Sequence, residues 1–233
     1  MTFYYILFIA CIAFYMGYMF YVKRRNAQQA EAVNKADFKT EFAKAADYRK
    51  NFLSTDLSFL QKAMGTDPVD AFNYASVEYG IGNVLKDGLK DKLKSAATLG
   101  TVRFTSVHTA KYLVLSGDNL HLLDTDTDGD IDRHLVFNRP RLENSRLTEY
   151  PLEGQVKAQA QARGNNVRAY KLSLQTDEKP LELIVYSCLI FTHIPEVPAN
   201  PQETVQAVVI ANDFLKQLGD KYPNLKVPLP IFS

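Results

Sequence analysis

Twenty consecutive uncharged residues, Phe3 to Val22, constrain this chain more than any other stretch of it. They read Phe-Tyr-Tyr-Ile-Leu-Phe-Ile-Ala-Cys-Ile-Ala-Phe-Tyr-Met-Gly-Tyr-Met-Phe-Tyr-Val. A helix of that length matches the roughly 30 Å hydrocarbon core of a bilayer. Lys23, Arg24 and Arg25 end the run. Tyr4, Tyr5, Tyr18 and Tyr21 sit near its ends, where rings with a polar tip favour the headgroup level. A buried core helix is usually shorter and seldom stops at a basic cluster. A cleavable signal peptide needs a basic leader and a small-x-small cleavage site, whereas only Thr2 separates Met1 from the run. Residues 1–25 are therefore read as an uncleaved transmembrane anchor, integral to the membrane.

The basic flank places the residues after the anchor in the cytoplasm by the positive-inside rule. Ala13 and Gly17 form a small-xxx-small pair on the anchor, a surface that lets a second helix approach and form a homo-oligomer. The chain as a whole carries little net charge. With 233 residues, a formal charge of +1 and a pI near 7.7, it offers no electrostatic footprint for nucleic acid. Its two cysteines, Cys11 in the apolar run and Cys188 far from it, do not suggest a disulfide framework. That fits a reducing compartment.

Residues 26–99 read as a helical stalk with accessory helices. Asn26 to Asn51 is polar, Ala-rich and free of Gly and Pro, a composition that favours helix, and Phe38 and Phe42 share a face. Ser54 or Thr55 is placed to cap a short helix through Leu57, Leu60 and Met64. Asp67 and Pro68 open the next, over 69–97, interrupted by Gly80, Gly82 and Gly88. In its second part Ile81, Val84, Leu85, Leu89, Leu93 and Ala96 line one face against Lys86, Asp87, Lys90, Asp91 and Lys94 on the other.

After Gly100 the period changes from helical to two. Strands are expected at 101–107, 111–115, 120–124, 133–138, 146–150, 155–162, 167–175 and 181–187. Ser116-Gly117-Asp118-Asn119, Gly164-Asn165-Asn166 and Thr176-Asp177-Glu178-Lys179 carry turn chemistry. A helix over 203–218 comes next, with Val205, Val208, Val209, Asn212, Leu215 and Leu218 as its stripe and Gly219 as its end. A Pro-rich apolar tail closes the chain. The fold class is α+β, with an antiparallel β domain over residues 100–233.

About seven antiparallel strands and then one amphipathic helix is the element order of a pleckstrin-homology-like (PH-like) barrel. Lys111–Asp124 resembles the early hairpin of such domains, and the resemblance covers roughly residues 100–219. It implies a module for protein interaction, since near that hairpin only Arg103, His108 and Lys111 are basic, fewer than phosphoinositide-binding members carry.

One chemical signal remains. Asp124, Asp126, Asp128, Asp130 and Asp132 alternate around Gly129, and the stretch resembles the first nine positions of an EF-hand calcium loop. Leu135 stands where the twelfth-position Glu belongs, so a calcium site would need an acid from elsewhere, such as Glu143 or Glu149. A solvated acidic turn is the plainer alternative. His108, His121, His134 and His193 have no metal-ligand spacing, and there is no nucleophile elbow, P-loop, HExxH or CxxC. The sequence thus favours a membrane-anchored, non-enzymatic protein presenting a PH-like domain to a protein partner. The alternatives are a calcium-binding domain facing the exterior and an unrecognised enzyme.

Overall fold

The computed structural model describes residues 2–77, 111–126, 130–152, 157, 160, 161, 164, 167–189, 200–229 and 231. The expected strand at 101–107 and the amphipathic face within 81–96 lie outside them. Among the described residues the protein is α+β. A 33-residue helix, α1 (Thr2–Asn34), is followed by α2 (Phe38–Phe42), α3 (Ala45–Ser54) and α4 (Ser58–Met64). Seven antiparallel strands come after them: β1 (Ala71–Val77), β2 (Lys111–Ser116), β3 (Asn119–Thr125), β4 (Ile131–Phe137), β5 (Arg146–Tyr150), β6 (Ala169–Leu174) and β7 (Leu181–Tyr186). A short helix, α5 (Arg139–Glu143), precedes β5, and α6 (Pro201–Lys221) follows β7.

The seven strands form one sheet in the order β4-β3-β2-β1-β7-β6-β5. Two meanders, β1 to β4 and β5 to β7, meet where β1 pairs with β7. The central strand therefore comes from 71–77, within the span expected to be helical over 69–97, and Asp67 and Pro68 lead into a strand instead of capping a helix. The reason lies in burial. Ala71, Phe72, Asn73, Tyr74 and Ala75 are at most 2% exposed, so both faces are covered and no polar alternation marks the strand. The β domain begins upstream of residue 100. A second correction falls at 155–162, where Lys157, Ala160 and Gln161 are helical. Alternating Ala and Gln imitate period two, but both residue types favour helix.

Pleating sends alternate residues to opposite faces, and each face has its own core. Phe72, Tyr74, Tyr112, Val114 and Leu123 lie on one, with Leu57, Leu60 and Met64 from the α4 region above them. Ala71, Leu113, Leu115, Leu120, Leu122, Leu172 and Leu183 lie on the other. Helix α6 serves both: Val205, Val208 and Val209 join the first core and Phe214, Leu215 and Leu218 the second. Asn200 caps it, its Oδ1 accepting the Gln202 amide at 3.1 Å, and Pro201 occupies the first turn. Gly219 does not end the helix, which runs on to Lys221. A Cβ at that position would meet the Lys226 Cα at 3.0 Å, so glycine there admits the returning tail.

The expected stalk is not free either. Helix α1 ends at Asn34, Asp37 caps α2 through the Lys39 and Thr40 amides, and α1, α2 and α3 all contact α6. Val33 is 2% exposed and, with Phe38 and Ala45, belongs to the first core. Among the described residues, which leave out the side chains of Phe3, Ile6 and Leu7, no helix is long and apolar enough to cross a membrane.

Candidate functional site: a groove beside the β3–β4 hairpin

The acidic loop closes the hairpin between β3 and β4, whose register slips at Asp124/Thr125 in a β-bulge. The Asp126 amide donates to the Asp130 carbonyl at 2.8 Å, and the Asp130 amide donates to the Asp126 Oδ1 at 3.0 Å. Asp124 is instead engaged across the sheet, in an ion pair with the Lys111 ammonium. Asp132 is exposed on β4. Asp128 and Gly129 lie outside the described residues. Among the described residues, no three His, Cys, Asp or Glu side chains converge to hold a metal ion. One carboxylate neutralises a lysine and another ties the turn, so both are directed at protein partners.

A different constellation lies beside the turn. Helix α4 packs its Leu60 and Met64 onto the sheet, and the Phe59 ring stands edge-on to Tyr112 at 5.1 Å between centroids. Tyr112 in turn meets Tyr74 edge-on at 5.8 Å. Burial, reinforced by Tyr74, pushes the Tyr112 phenol up to about 12, which keeps it protonated as a packing group. Between α4 and the hairpin runs an open groove of about 360 Å³ lined by Phe59, Lys62, Ala63, Asp130, Ile131 and His134. Its floor is apolar, and its rim carries one cation, one carboxylate and one imidazole.

His134 reaches inward from β4 to His121 on β3. In the register Leu123 faces His134 and His121 faces Val136, so the two imidazoles are diagonal neighbours on one face. His121 Nδ1 and His134 Nε2 are 2.8 Å apart, a contact in which one ring donates its N–H to the other's lone pair. His121 is 4% exposed. Burial and then the neighbouring His134 lower its pKa from 6.5, against an opposing pull from Asp67. One proton therefore lies between the two facing nitrogens, and His121 resists taking up another.

The sequence pattern finds the loop but not this groove. His121 and His134 look unrelated along the chain until the hairpin register is known, and Phe59 and Lys62 read as one turn of a short helix. No family model matches the chain, and no curated protein matches it. The chemistry open to the groove is set by its lining, an apolar slot with one ammonium, one carboxylate and one imidazole beside it.

Proposed function

We propose that this is a single-pass, membrane-anchored, non-enzymatic protein that presents its α+β domain to the cytoplasm as a PH-like module for protein interaction. The observation that carries the reading is the outer surface of α1. Phe8, Ile9, Ile12, Phe14, Tyr15, Met16, Met19 and Phe20 are all between 47% and 79% exposed. Consecutive residues of a helix point around its full circumference, so these apolar side chains cover the helix on every side. A helix apolar all round requires an apolar environment on all sides, and a bilayer supplies one for an uncharged run of this length. Lys23, Arg24 and Arg25 come next as exposed residues. Their charge supports the cytoplasmic orientation.

The PH-like reading draws on the order of elements, two antiparallel meanders followed by the long α6 across both cores. The interaction reading draws on the groove beside the β3–β4 hairpin. The Ala13 and Gly17 pair supports association of anchors, since a Cβ at Gly17 would meet nothing within 4 Å. Fractionation of the full chain tests the anchor: it should sediment with membranes, resist carbonate extraction and be released by detergent. An unprocessed chain in the soluble fraction would overturn the reading. A reporter fused after Ser233 should report the cytoplasm, and neutralising Lys23, Arg24 and Arg25 together should weaken or invert that orientation.

A further inference from the structure

Outside α1, the described residues leave two large hydrophobic side chains exposed, and they are neighbours: Leu135 at 37% and Val136 at 45%. Both are on β4, the terminal strand of the sheet among the described residues. A terminal strand turns half of its backbone N–H and C=O groups away from its neighbour, a template for a further strand. Adjacent strand residues point to opposite faces, so no side chain docking on one face covers both Leu135 and Val136. An added strand covers both at once.

We infer that the added strand is β4 of a second copy of this chain, paired antiparallel about a two-fold axis through Leu135. Pairing a strand with its own copy is the isologous arrangement that a closed dimer requires. This register sets Leu135 against Leu135 of the partner subunit, His134 against the partner's Val136, and Arg133 against the partner's Phe137. Apolar groups meet on the axis and no like charges are opposed. Centring the pair two residues earlier, on Arg133, would put two guanidinium groups opposite each other, and centring it on Asp132 would oppose two carboxylates. The charge pattern of Asp132-Arg133 thus excludes those two registers, and the Leu135 register places an apolar pair on the axis.

The size of the contact fixes where it forms. A five-residue strand pair falls well short of the roughly 1,200 Å² that stable interfaces bury. Two copies held in one bilayer by α1 meet at a far higher effective concentration, which offsets the small area. The inference rests to that extent on the anchor reading. It gives the membrane-bound chain a continuous sheet across two subunits.

Disulfide trapping in expressing cells tests this, and it reads the pairing whichever fraction the chain occupies. Residues directly opposed on antiparallel strands lie about 4.5–5.5 Å apart at Cα, within the range a disulfide spans. In a Cys11→Ser background, where Cys188 is buried, Leu135→Cys should give a dimer on mild oxidation at least tenfold more than Thr148→Cys. Thr148 is exposed on β5, at the far end of the sheet. Adding Val136→Lys should cut the Leu135→Cys yield by a similar factor without altering protease resistance. A second measurement leaves the centre of the pair intact: in a Gly17→Ile background, which blocks close approach of two anchors, photobleaching of the labelled full chain in vesicles should show two steps with Val136 and one with Val136→Lys. Equal trapping at positions 135 and 148 overturns the inference. So does a two-step trace that survives Val136→Lys in that background. Carbonate extraction tests the anchor separately.

Discussion

The sheet ends differently at its two edges. At the β5 end the tail braces the residues that lead into the strand. The Asn224 Nδ2 donates to the Leu142 and Ser145 carbonyls, both at 2.8 Å, and Leu225 beside it is fully buried. Ser145 accepts the Gln175 amide at 3.0 Å on its hydroxyl, and the Tyr170 hydroxyl donates to the Pro228 carbonyl at 2.8 Å. At the β4 edge the described residues supply no such cover, and the strand is exposed from Asp132 to Val136. One end is braced by neutral side chains and a tail that turns past Gly219. Among the described residues the other is held from its inner side, by β3 and by a pair of imidazoles. An end braced in cis contributes to folding, whereas an edge that the described residues leave uncovered is open to another chain.

Three substitutions or conditions sharpen that contrast. The largest effect belongs to the braced end. Leu225→Ala leaves a void in the second core and loosens the tail, and should cost about 2–5 kcal/mol, read from the urea midpoint at unchanged slope. A loss below about half a kcal/mol, the usual range for a surface substitution, would mean that the tail does not brace that end of the sheet.

The intermediate effect is confined to the open edge and comes from pH. His121 has its pKa lowered below 6.5 by burial and then by His134, so the unfolded chain takes up the proton more readily than the folded one. The contribution is therefore complete above pH 6.5 and is lost as pH falls from there toward the lower folded value. The slope is at most about 1.4 kcal/mol per pH unit for one proton. Asp67 opposes the shift, and Lys62 and Asp130 line the groove beside His134. Amide exchange should show β4 losing protection as pH falls below about 6.5, while β5, held by neutral groups, keeps its own. Equal loss at both edges would remove the histidine pair as the cause.

The smallest effect is Val136→Lys, expected to change folding stability by no more than about 0.5 kcal/mol because the side chain is already exposed. A larger loss would show that β4 packs against something within its own subunit.

How far the sequence disclosed this fold depends on how many faces of each element are covered. Turn chemistry located the β2–β3 hairpin: Ser116 faces Asn119 across it and Gly117 adopts φ +52°. The stripe of α6 was legible because the helix still has a wet side, with Gln202, Glu203 and Asp220 exposed. β1 was not, since a strand buried on both faces loses the alternation that identifies it. Gly219 misleads because a helix-ending glycine and a close-approach glycine look alike until the neighbouring Lys226 is seen. The acidic loop stands out as a motif, but its Asp124 is directed at Lys111, a residue on another strand that no spacing rule connects to it. The groove lay beyond reach for the same reason. Its parts come from α4 and from two strands whose register only the folded sheet defines.

The joint between α1 and the domain has a mechanical consequence. Helix α1 runs unbroken past its basic cluster, and Val33 is wedged between α6 and Gly164, where a Cβ on the glycine would come within 3.2 Å of the valine. From Val22 to Val33 the helix rises about 16 Å. With the uncharged run held in a bilayer, as proposed, this segment is a lever with no hinge in it. Membrane-spanning helices adjust to bilayer thickness by tilting, by about 20° on average. A thinner or thicker bilayer would then swing the whole sheet, and bring the two β4 strands into or out of reach of each other.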